Sequence, residues 1–237
     1  LGAIVTKSIT RQPREGNPPP RIVETPSGMI NSIGLANIGV KKYIKEMLPI
    51  YEDLSTKIIM NIAGTDISEY VEILKLMEDH SSNITGYEIN ISCPNDKKGG
   101  MEFGVDCDMT AKLTEELRKL TDRLIIMKLS PNVSDIVAIG KASQDAGADA
   151  VSAINTVVGM SINSKTGKSN IFTTYGGLSG PAIKPIGLAA VNKLHKGLSI
   201  PVIGMGGIVS STDVVEYILA GSSSVQVGTA NFRNPGT

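Results

Sequence analysis

Short runs of apolar residues alternate along the chain with longer segments in which apolar residues recur at helical spacing. Seven such runs, rich in β-branched residues, predict strands at residues 2–6, 57–61, 86–91, 124–129, 150–154, 201–204 and 224–227. Several of them are apolar throughout, which is typical of strands that are covered on both faces in a parallel sheet.

Helical spacing fills the stretches between these strands. It is clearest in two groups of apolar residues, Tyr70, Val71, Leu74 and Met77, and Leu113, Leu117 and Leu120. Later helices are predicted to begin near Asp135, Ile183 and Ser211, and the last of these to stop at Ala220-Gly221. An alternation of strand and helix over the whole chain predicts an α/β fold with a parallel sheet.

Seven strands are one fewer than a (β/α)8 TIM barrel contains. The alternative is an open, doubly wound sheet, but no glycine-rich dinucleotide fingerprint follows the first strand. We therefore predict one barrel domain over residues 1–237, truncated at both ends, with its first strand and closing helix missing from this chain. Long loops without regular structure are expected near 11–34 and 159–181, and a further active-site loop near 93–106.

Composition narrows the classes of partner. Lys plus Arg equals Asp plus Glu, at 23 each, so electrostatics offer no reason to expect a nucleic acid or an acidic membrane surface. No stretch approaches the roughly 18 apolar residues that a membrane span requires. The two cysteines, Cys93 and Cys107, do not form a disulfide framework, which favours a reducing, cytoplasmic compartment.

Polar residues and glycines follow the predicted strands. They are Lys7-Ser8, Asn61, Asn90 to Asn95, Lys128, Asn155-Thr156, Gly206-Gly207 and Gly228-Thr229. Because the active site of a barrel lies at the carboxyl ends of its strands, these residues are candidates for a shared site.

Two kinds of residue in this set suggest a bound anion. Glycine pairs after the last two strands favour a phosphate group, although tight turns with positive φ would also require glycine. Lys7 and Lys128 could neutralise a carboxylate, a phosphate or an anionic flavin. The alternative for each lysine is an ion pair with a carboxylate of the protein, since burying an unpaired ammonium group is costly.

Cys93 is the sharpest chemical feature. It lies in a loop after a strand, between two asparagines and before a proline, and the thiolate of a cysteine can act as a base or nucleophile. His80 and His195 fall near helix C-termini on the outer layer, so no Cys–His pair is expected. The alternative is a small buried apolar residue. Cys107, in a polar segment just before a predicted helix, is interpreted as structural. No metal site is predicted.

Several separated motifs, in order along nearly the whole chain, resemble dihydroorotate dehydrogenase. They are residues 7–10 with 14–18, then 31–35, then 90–95 with the sequence Asn-Ile-Ser-Cys-Pro-Asn. Within that family a cysteine at this position marks class 1, since the class 2 membrane enzymes have a serine there. Residues 176–185 and 204–207 resemble class 1B, the NAD-dependent type.

The resemblance implies a function. Dihydroorotate would be oxidised to orotate in pyrimidine biosynthesis, with Cys93 removing a proton from carbon 5 while carbon 6 gives a hydride to FMN. Electrons would pass to NAD through an electron-transfer subunit that carries FAD and a 2Fe-2S cluster, because this chain lacks the four cysteines that a cluster needs. The assembly would be a heterotetramer built on a homodimer of this chain.

The resemblance also assigns site residues. Orotate would be bound by Lys7, Asn31, Ser32, Ile33, Gly34, Leu35, Asn90, Asn155 and Thr156. FMN would be bound by Lys7, Ser8, Asn61, Asn90, Lys128, Ile154, Gly180, Gly206, Gly207, Gly228 and Thr229.

Two rival functions remain open at this stage. A barrel similar to dihydropyrimidine dehydrogenase would share the flavin and the cysteine loop but would act on uracil or thymine. A cofactor-free aldolase or synthase barrel would bind a sugar phosphate through the same glycines. A requirement for a carboxylate on the substrate would distinguish dihydroorotate oxidation from the first rival. A flavin absorption band would exclude the second.

Overall fold

A computed structural model describes residues 2–80, 83–92, 94–95 and 101–237. Its strands are β1 (Ala3–Val5), β2 (Ile22–Thr25), β3 (Gly28–Asn31), β4 (Lys57–Ala63), β5 (Ile84–Asn90), β6 (Pro94–Asn95), β7 (Met101–Glu102), β8 (Leu124–Leu129), β9 (Ala150–Ala153), β10 (Val157–Gly159), β11 (Gly176–Ser179), β12 (Val202–Met205) and β13 (Ser224–Gln226). Its helices are α1 (Val40–Glu46), α2 (Leu48–Glu52), α3 (Ile67–Glu78), α4 (Cys107–Arg118), α5 (Ile136–Asp145), α6 (Lys184–Gly197), α7 (Ser211–Ala220) and α8 (Ala230–Arg233).

All seven predicted strands are present. They form a sheet in the order β1-β4-β5-β8-β9-β12-β13. The pairs β1·β4, β4·β5, β5·β8 and β12·β13 are parallel. Each parallel step is made through a crossover segment, which is the repeat of a (β/α) TIM barrel. The predicted fold class is thereby confirmed.

The chain divides into two compact units. The first comprises residues 1–15, 35–129 and 138–151, and the second comprises residues 16–34, 130–137 and 152–237. The division falls inside β9, so the first half of that strand belongs to the first unit and its second half to the second unit.

The core of the first unit consists of apolar side chains from β4, β5, β8, α3 and α4. Fully buried members are Ile58, Met60, Ile62, Tyr70, Ile73, Leu74, Met77, Ile89, Leu113, Leu117, Ile125 and Met127. Both helices begin at an aspartate whose carboxylate accepts a backbone N–H of the first turn, Asp66 from Glu69 and Asp106 from Met109. The predicted helical spacing therefore describes most of the buried faces of α3 and α4, although Val71 is only half-buried and Leu120 lies beyond the end of α4.

A small antiparallel sheet in the second unit was not predicted. Its order is β10-β11-β3-β2, and it is formed by the segments that we expected to be irregular loops. That expectation was wrong because these strands have only three or four residues, too few for an alternation of apolar and polar positions to be recognised. Glycine is needed where the strands meet, since a Cβ at Gly176 would lie 2.6 Å from the Asn31 carbonyl oxygen.

The short helices α1, α2 and α8, of seven, five and four residues, were also not predicted. Segments of this length are too short to display a helical period in the sequence. Within the described residues, no helix has the length and apolar character that crossing a bilayer would require.

Helix α7 begins and ends as its sequence predicts. Ser210 and Asp213 form a reciprocal capping box, in which each side chain accepts a hydrogen bond from the other residue's N–H. At the other end Gly221 has a left-handed conformation with φ 112°. The ring of His195 packs on this glycine, because a Cβ at Gly221 would lie 2.3 Å from the ring.

We therefore expect Gly221→Ala to lower the free energy of unfolding by about 2–4 kcal/mol, through backbone strain and steric overlap with His195. Gly167 is the matched control, since it also has positive φ (68°) but a Cβ there would meet nothing within 4 Å. Gly167→Ala should cost only the backbone strain of about 1–2 kcal/mol. Urea unfolding would measure both changes, and equal losses would contradict the packing role of Gly221.

Candidate active site

Lys7 and Ser8 lie beside Asn61, as expected for residues at neighbouring strand ends. The Thr6 N–H donates to the Ile59 carbonyl and the Ile9 N–H donates to the Asn61 carbonyl, each at 3.0 Å. Residues 6–9 therefore run alongside β4 beyond Val5, the last residue of β1 that pairs with it. Lys7 is exposed there, whereas Asn61 is buried.

The first unit holds a buried polar cluster of Asn61, Glu88 and Lys128. The Asn61 amide donates to Glu88 Oε1 at 2.6 Å, and Lys128 Nζ lies 3.6 Å from the same oxygen. The Glu88 side chain has no exposed surface, and that of Lys128 is 21% exposed. Asn61 Oδ1 is buried and has no hydrogen-bond partner among the described residues, so this acceptor is available to a ligand.

Glu88 was not predicted as a site residue. The structure shows that Lys128 makes the ion pair that we considered as its alternative role. The sequence did contain a signal, because Glu88 is the one charged residue of the strand Ile84–Asn90. A carboxylate in the interior of a barrel strand is costly unless it is paired, and here it fixes both a cation and an amide.

Asn90 lies at the end of β5, directly opposite Lys128 in the register of β5 and β8. Its side-chain oxygen accepts the Ser92 N–H at 3.2 Å, and its carbonyl accepts the Tyr70 hydroxyl at 2.7 Å. Asn90 and Lys128 are thereby brought together as predicted. Cys93, the predicted base, lies outside the described residues.

The second unit brings Asn31 and Thr156 together, although 125 positions separate them in the sequence. Asn31 pairs with Gly177 between β3 and β11, and its amide donates to the Gly177 carbonyl at 3.4 Å. Thr156 also packs on this glycine, because a Cβ at Gly177 would lie 2.2 Å from Thr156 Oγ1. Asn155 Oδ1 accepts the Thr156 N–H at 2.8 Å. Three of the predicted orotate ligands are therefore neighbours.

Asn132 supports this group and was not predicted. Its Nδ2 donates to the Thr156 carbonyl and its Oδ1 accepts the Val158 N–H, both at 3.0 Å. The side-chain amide thus donates one hydrogen bond to the main chain and accepts another from it, as the backbone of a neighbouring strand would. The sequence places Asn132 in the loop after the fourth predicted strand, but nothing there indicates which backbone it contacts.

The Ser32-Ile33-Gly34 segment is held by Asn17. The Asn17 amide donates to the Ser32 carbonyl at 2.9 Å, and its N–H donates to the Ile33 carbonyl at 2.9 Å. Ser32 Oγ is buried without a hydrogen-bond partner among the described residues, which offers a second polar atom to a ligand. In the first unit, Leu35 has φ 58°, a conformation that is uncommon for a side chain of its size.

The predicted phosphate-binding glycines have two kinds of surroundings. At Gly180 and Gly207 the main chain is crowded, since a Cβ at Gly180 would lie 2.7 Å from the Gly28 Cα and one at Gly207 would lie 2.7 Å from the Gly180 carbonyl oxygen. Gly180, Gly206 and Gly207 all have positive φ. These glycines therefore do meet the need of tight turns for positive φ, which we considered as the alternative to phosphate binding.

Gly228 differs, because a Cβ there would meet nothing within 4 Å. It precedes Thr229 and the short helix α8. Ile154 is brought next to the Gly206 loop, since its N–H donates to the Met205 carbonyl at 3.0 Å. The predicted FMN ligands of the second unit thus include open as well as crowded backbone.

The two histidines are not part of these groups. His80 follows α3, and His195 lies in the last turn of α6, both as predicted. Cys107 is half-buried and is the first residue of α4, whereas the sequence placed it just before this helix.

A family model described as "Dihydroorotate dehydrogenase" matches residues 1–237. The chain belongs to the dihydroorotate dehydrogenase family. It is 51% identical over 235 residues to a protein of Desulforamulus reducens. This match covers 99% of the chain and 77% of that relative. Relatives from Thermoanaerobacter pseudethanolicus and Geobacillus kaustophilus are each 49% identical over 99% of this chain, and the matches cover 77% and 75% of those proteins.

All three relatives carry the name "Dihydroorotate dehydrogenase B (NAD(+)), catalytic subunit". The family resemblance that the motifs indicated is thereby confirmed, including its NAD-linked type. The dihydroorotate dehydrogenase family consists of oxidoreductases, so this chain is an enzyme of that class.

Removing the Glu88 carboxylate from the buried cluster of the first unit should lower the stability of the protein substantially. Glu88→Ala would leave the Lys128 ammonium group and the Asn61 amide without this acceptor, and we expect the free energy of unfolding to fall by about 2–4 kcal/mol. Glu88→Gln keeps an oxygen for Asn61 and should cost less.

Urea unfolding of the flavin-free protein at neutral pH would measure this loss. Glu116→Ala is the matched control in the same unit, because Glu116 pairs with Lys119 at 2.7 Å on the surface. It should have almost no effect, since exposed ion pairs contribute little. Equal effects of the alanine variants at 88 and 116 would contradict a structural role for the buried carboxylate.

Proposed function

We propose that this chain oxidises dihydroorotate to orotate, with FMN as its own cofactor and Cys93 as the base. The names of its relatives specify this substrate and NAD(+). The structural observation that carries the proposal is the grouping of Asn31, Asn155 and Thr156 around Gly177. It is an arrangement of amides and a hydroxyl suited to a small planar ring.

The proposed substrate ligands match the chemistry of orotate, a flat ring with N–H donors, carbonyl acceptors and a carboxylate. Asparagine amides can donate and accept, and a lysine can neutralise the carboxylate. The proposed ligands are Lys7, Asn31, Ser32, Ile33, Gly34, Leu35, Asn90, Asn155 and Thr156. Asn17 and Asn132 would position some of these residues without touching the substrate themselves.

The residues proposed for FMN also suit that group. They are Lys7, Ser8, Asn61, Asn90, Lys128, Ile154, Gly180, Gly206, Gly207, Gly228 and Thr229. The unpartnered Asn61 Oδ1 can accept a hydrogen bond from a flavin ring, and the open backbone at Gly228 leaves room for a ligand. When bound, FMN would accept the hydride that leaves carbon 6 of the substrate.

The protein's own residues would manage charge and protons. Cys93, as the thiolate, would take the proton from carbon 5. Lys128 would supply positive charge at the end of β8, and Glu88 would hold its ammonium group in place. Asn90 lies opposite Lys128 in the sheet, at the start of the loop that leads to Cys93. It would orient the substrate.

We also propose the partner. The relatives are named as catalytic subunits, which supports a second subunit in the working enzyme. That subunit would carry FAD and a 2Fe-2S cluster and pass electrons to NAD, because this chain has two cysteines and a cluster needs four protein ligands. Two copies of this chain would form the homodimer core of a heterotetramer.

Replacing the base tests the mechanism. We expect Cys93→Ala to slow reduction of the bound flavin by dihydroorotate by orders of magnitude, because no other group is proposed to remove the proton, while FMN binding is retained. In the wild-type protein the reduction rate should rise with pH as the thiolate forms. Stopped-flow absorbance would measure both, with Cys107→Ala as the control. Unchanged kinetics in Cys93→Ala would overturn the assignment.

The substrate proposal has a separate spectroscopic test. The purified protein should show a flavin absorption band, and orotate should shift that band whereas uracil should not, because only orotate has a carboxylate. A response to uracil would favour a dihydropyrimidine dehydrogenase-like activity. A protein without any flavin band, which also fails to bind added FMN, would favour a cofactor-free sugar-phosphate barrel.

A further inference from the structure

Two buried side chains of α7, Asp213 and Tyr217, have no role in the function described so far. They are four residues apart and therefore lie on the same face of the helix. Both are almost completely inaccessible, with exposed fractions of 6% and 0%. Each of them contacts the loop that follows β12, at opposite ends of the loop.

Tyr217 holds the beginning of the loop. Its hydroxyl donates to the Gly206 carbonyl at 2.7 Å and also lies 3.2 Å from the Met205 carbonyl oxygen. Its ring occupies space left by two glycines, because a Cβ at Gly187 would lie 2.0 Å from the Tyr217 hydroxyl and one at Gly204 would lie 2.4 Å from the ring. The tyrosine and these glycines are thus sterically matched.

Asp213 holds the end of the loop. Its Oδ2 accepts the N–H groups of Val209 and Ser210 at 2.9 and 2.8 Å, and its Oδ1 accepts a hydrogen bond from Lys184 Nζ at 2.6 Å. The hydrogen bond from Lys184, helped by those from Val209 and Ser210, keeps the pKa of Asp213 well below its ordinary value. Asp213 is therefore a fixed negative charge behind the loop.

Only Gly207 and Ile208 remain between these two attachments, at the Gly206 carbonyl and the Val209 N–H. Gly206 and Gly207 have φ 123° and 72°, and glycine is the residue that gains most conformational freedom when it is released. A loop of this kind presents its N–H groups in one arrangement only if its ends are fixed. The contacts of Tyr217 and Asp213 meet that need.

We propose that Asp213 and Tyr217 are positioning residues that hold the Gly206–Gly207 loop in the conformation that takes the phosphate of FMN. This inference rests on the proposed binding of FMN. Neither side chain would touch the cofactor, since both act through the main chain of the loop. Their contribution should therefore depend on the phosphate, and only weakly on the flavin ring.

Riboflavin, which lacks the phosphate, provides the discriminating probe. Binding of FMN and of riboflavin to the flavin-free chain would be measured by quenching of flavin fluorescence. We expect Tyr217→Phe to weaken FMN binding about five- to tenfold, the loss typical of one buried hydrogen bond, and to leave riboflavin binding within about twofold. Asp213→Asn should act in the same direction by loosening the other end of the loop.

Two variants serve as controls. Tyr87→Phe removes a buried tyrosine hydroxyl that donates to Glu78 at 2.5 Å in the first unit, so it should change neither affinity. Glu216→Gln removes the other partner of Lys184, at 2.8 Å, without touching the loop. It should also preserve the preference for FMN. Thermal unfolding would confirm that each variant is folded.

The possible outcomes separate the two proposals. If the wild-type chain prefers FMN to riboflavin and Tyr217→Phe keeps that preference, the positioning role is overturned while FMN binding stands. The positioning role is also overturned if Tyr217→Phe weakens both ligands equally, since the residue would then be merely structural. A wild-type chain that binds FMN no better than riboflavin would overturn the phosphate site and this inference with it.

Discussion

Main-chain segments of the second unit approach one another so closely that a side chain would not fit between them. Main chain packs directly on main chain at Gly28, Gly180 and Gly207. At Gly177, a Cβ would overlap with Thr156 Oγ1. This constraint produces the small antiparallel sheet, the grouping of the proposed orotate ligands and the course of the loop after β12. It also explains why a glycine-rich sequence forms ordered structure here, because the crowded glycines, unlike Gly167 and Gly228, each lie against a neighbouring strand or loop.

The first unit is organised around a different interaction. Glu88 is a buried carboxylate that accepts a hydrogen bond from Asn61 and pairs with Lys128. Removing a charge from water is costly, so such a residue is tolerated only where a cation and an amide compensate for the lost hydration. The result is an amide of β4 and an ammonium group of β8 held on either side of β5, with Asn61 Oδ1 left without a hydrogen-bond partner among the described residues. Apolar packing around β4, β5 and β8 keeps this cluster in place.

These two arrangements support the proposed binding of a flavin and a small acid. In the first unit, polar side chains come from the strands of the parallel sheet, and in the second unit, glycine contacts bring together segments that are distant in the sequence. The residues that make direct contacts in our proposal are supported by others that do not, namely Asn17, Asn132, Glu88, Asp213 and Tyr217. In our proposal, the geometry of binding therefore depends on the supporting residues as well as on those that contact the ligands.

The sequence alone was sufficient for the seven parallel strands, for α3, α4, α5, α6 and α7, and for the family. Apolar runs, helical spacing and caps such as Ser210 and Gly221 are local signals, and ordered motifs such as Asn90 to Asn95 are carried by single segments. Only the tertiary structure decided that Asn31 meets Thr156 across Gly177, that Lys128 pairs with Glu88, and that Tyr217 supports the loop at Gly206. Each of these contacts joins residues of different elements or loops, and the partners are determined by backbone packing and burial, which no local pattern encodes.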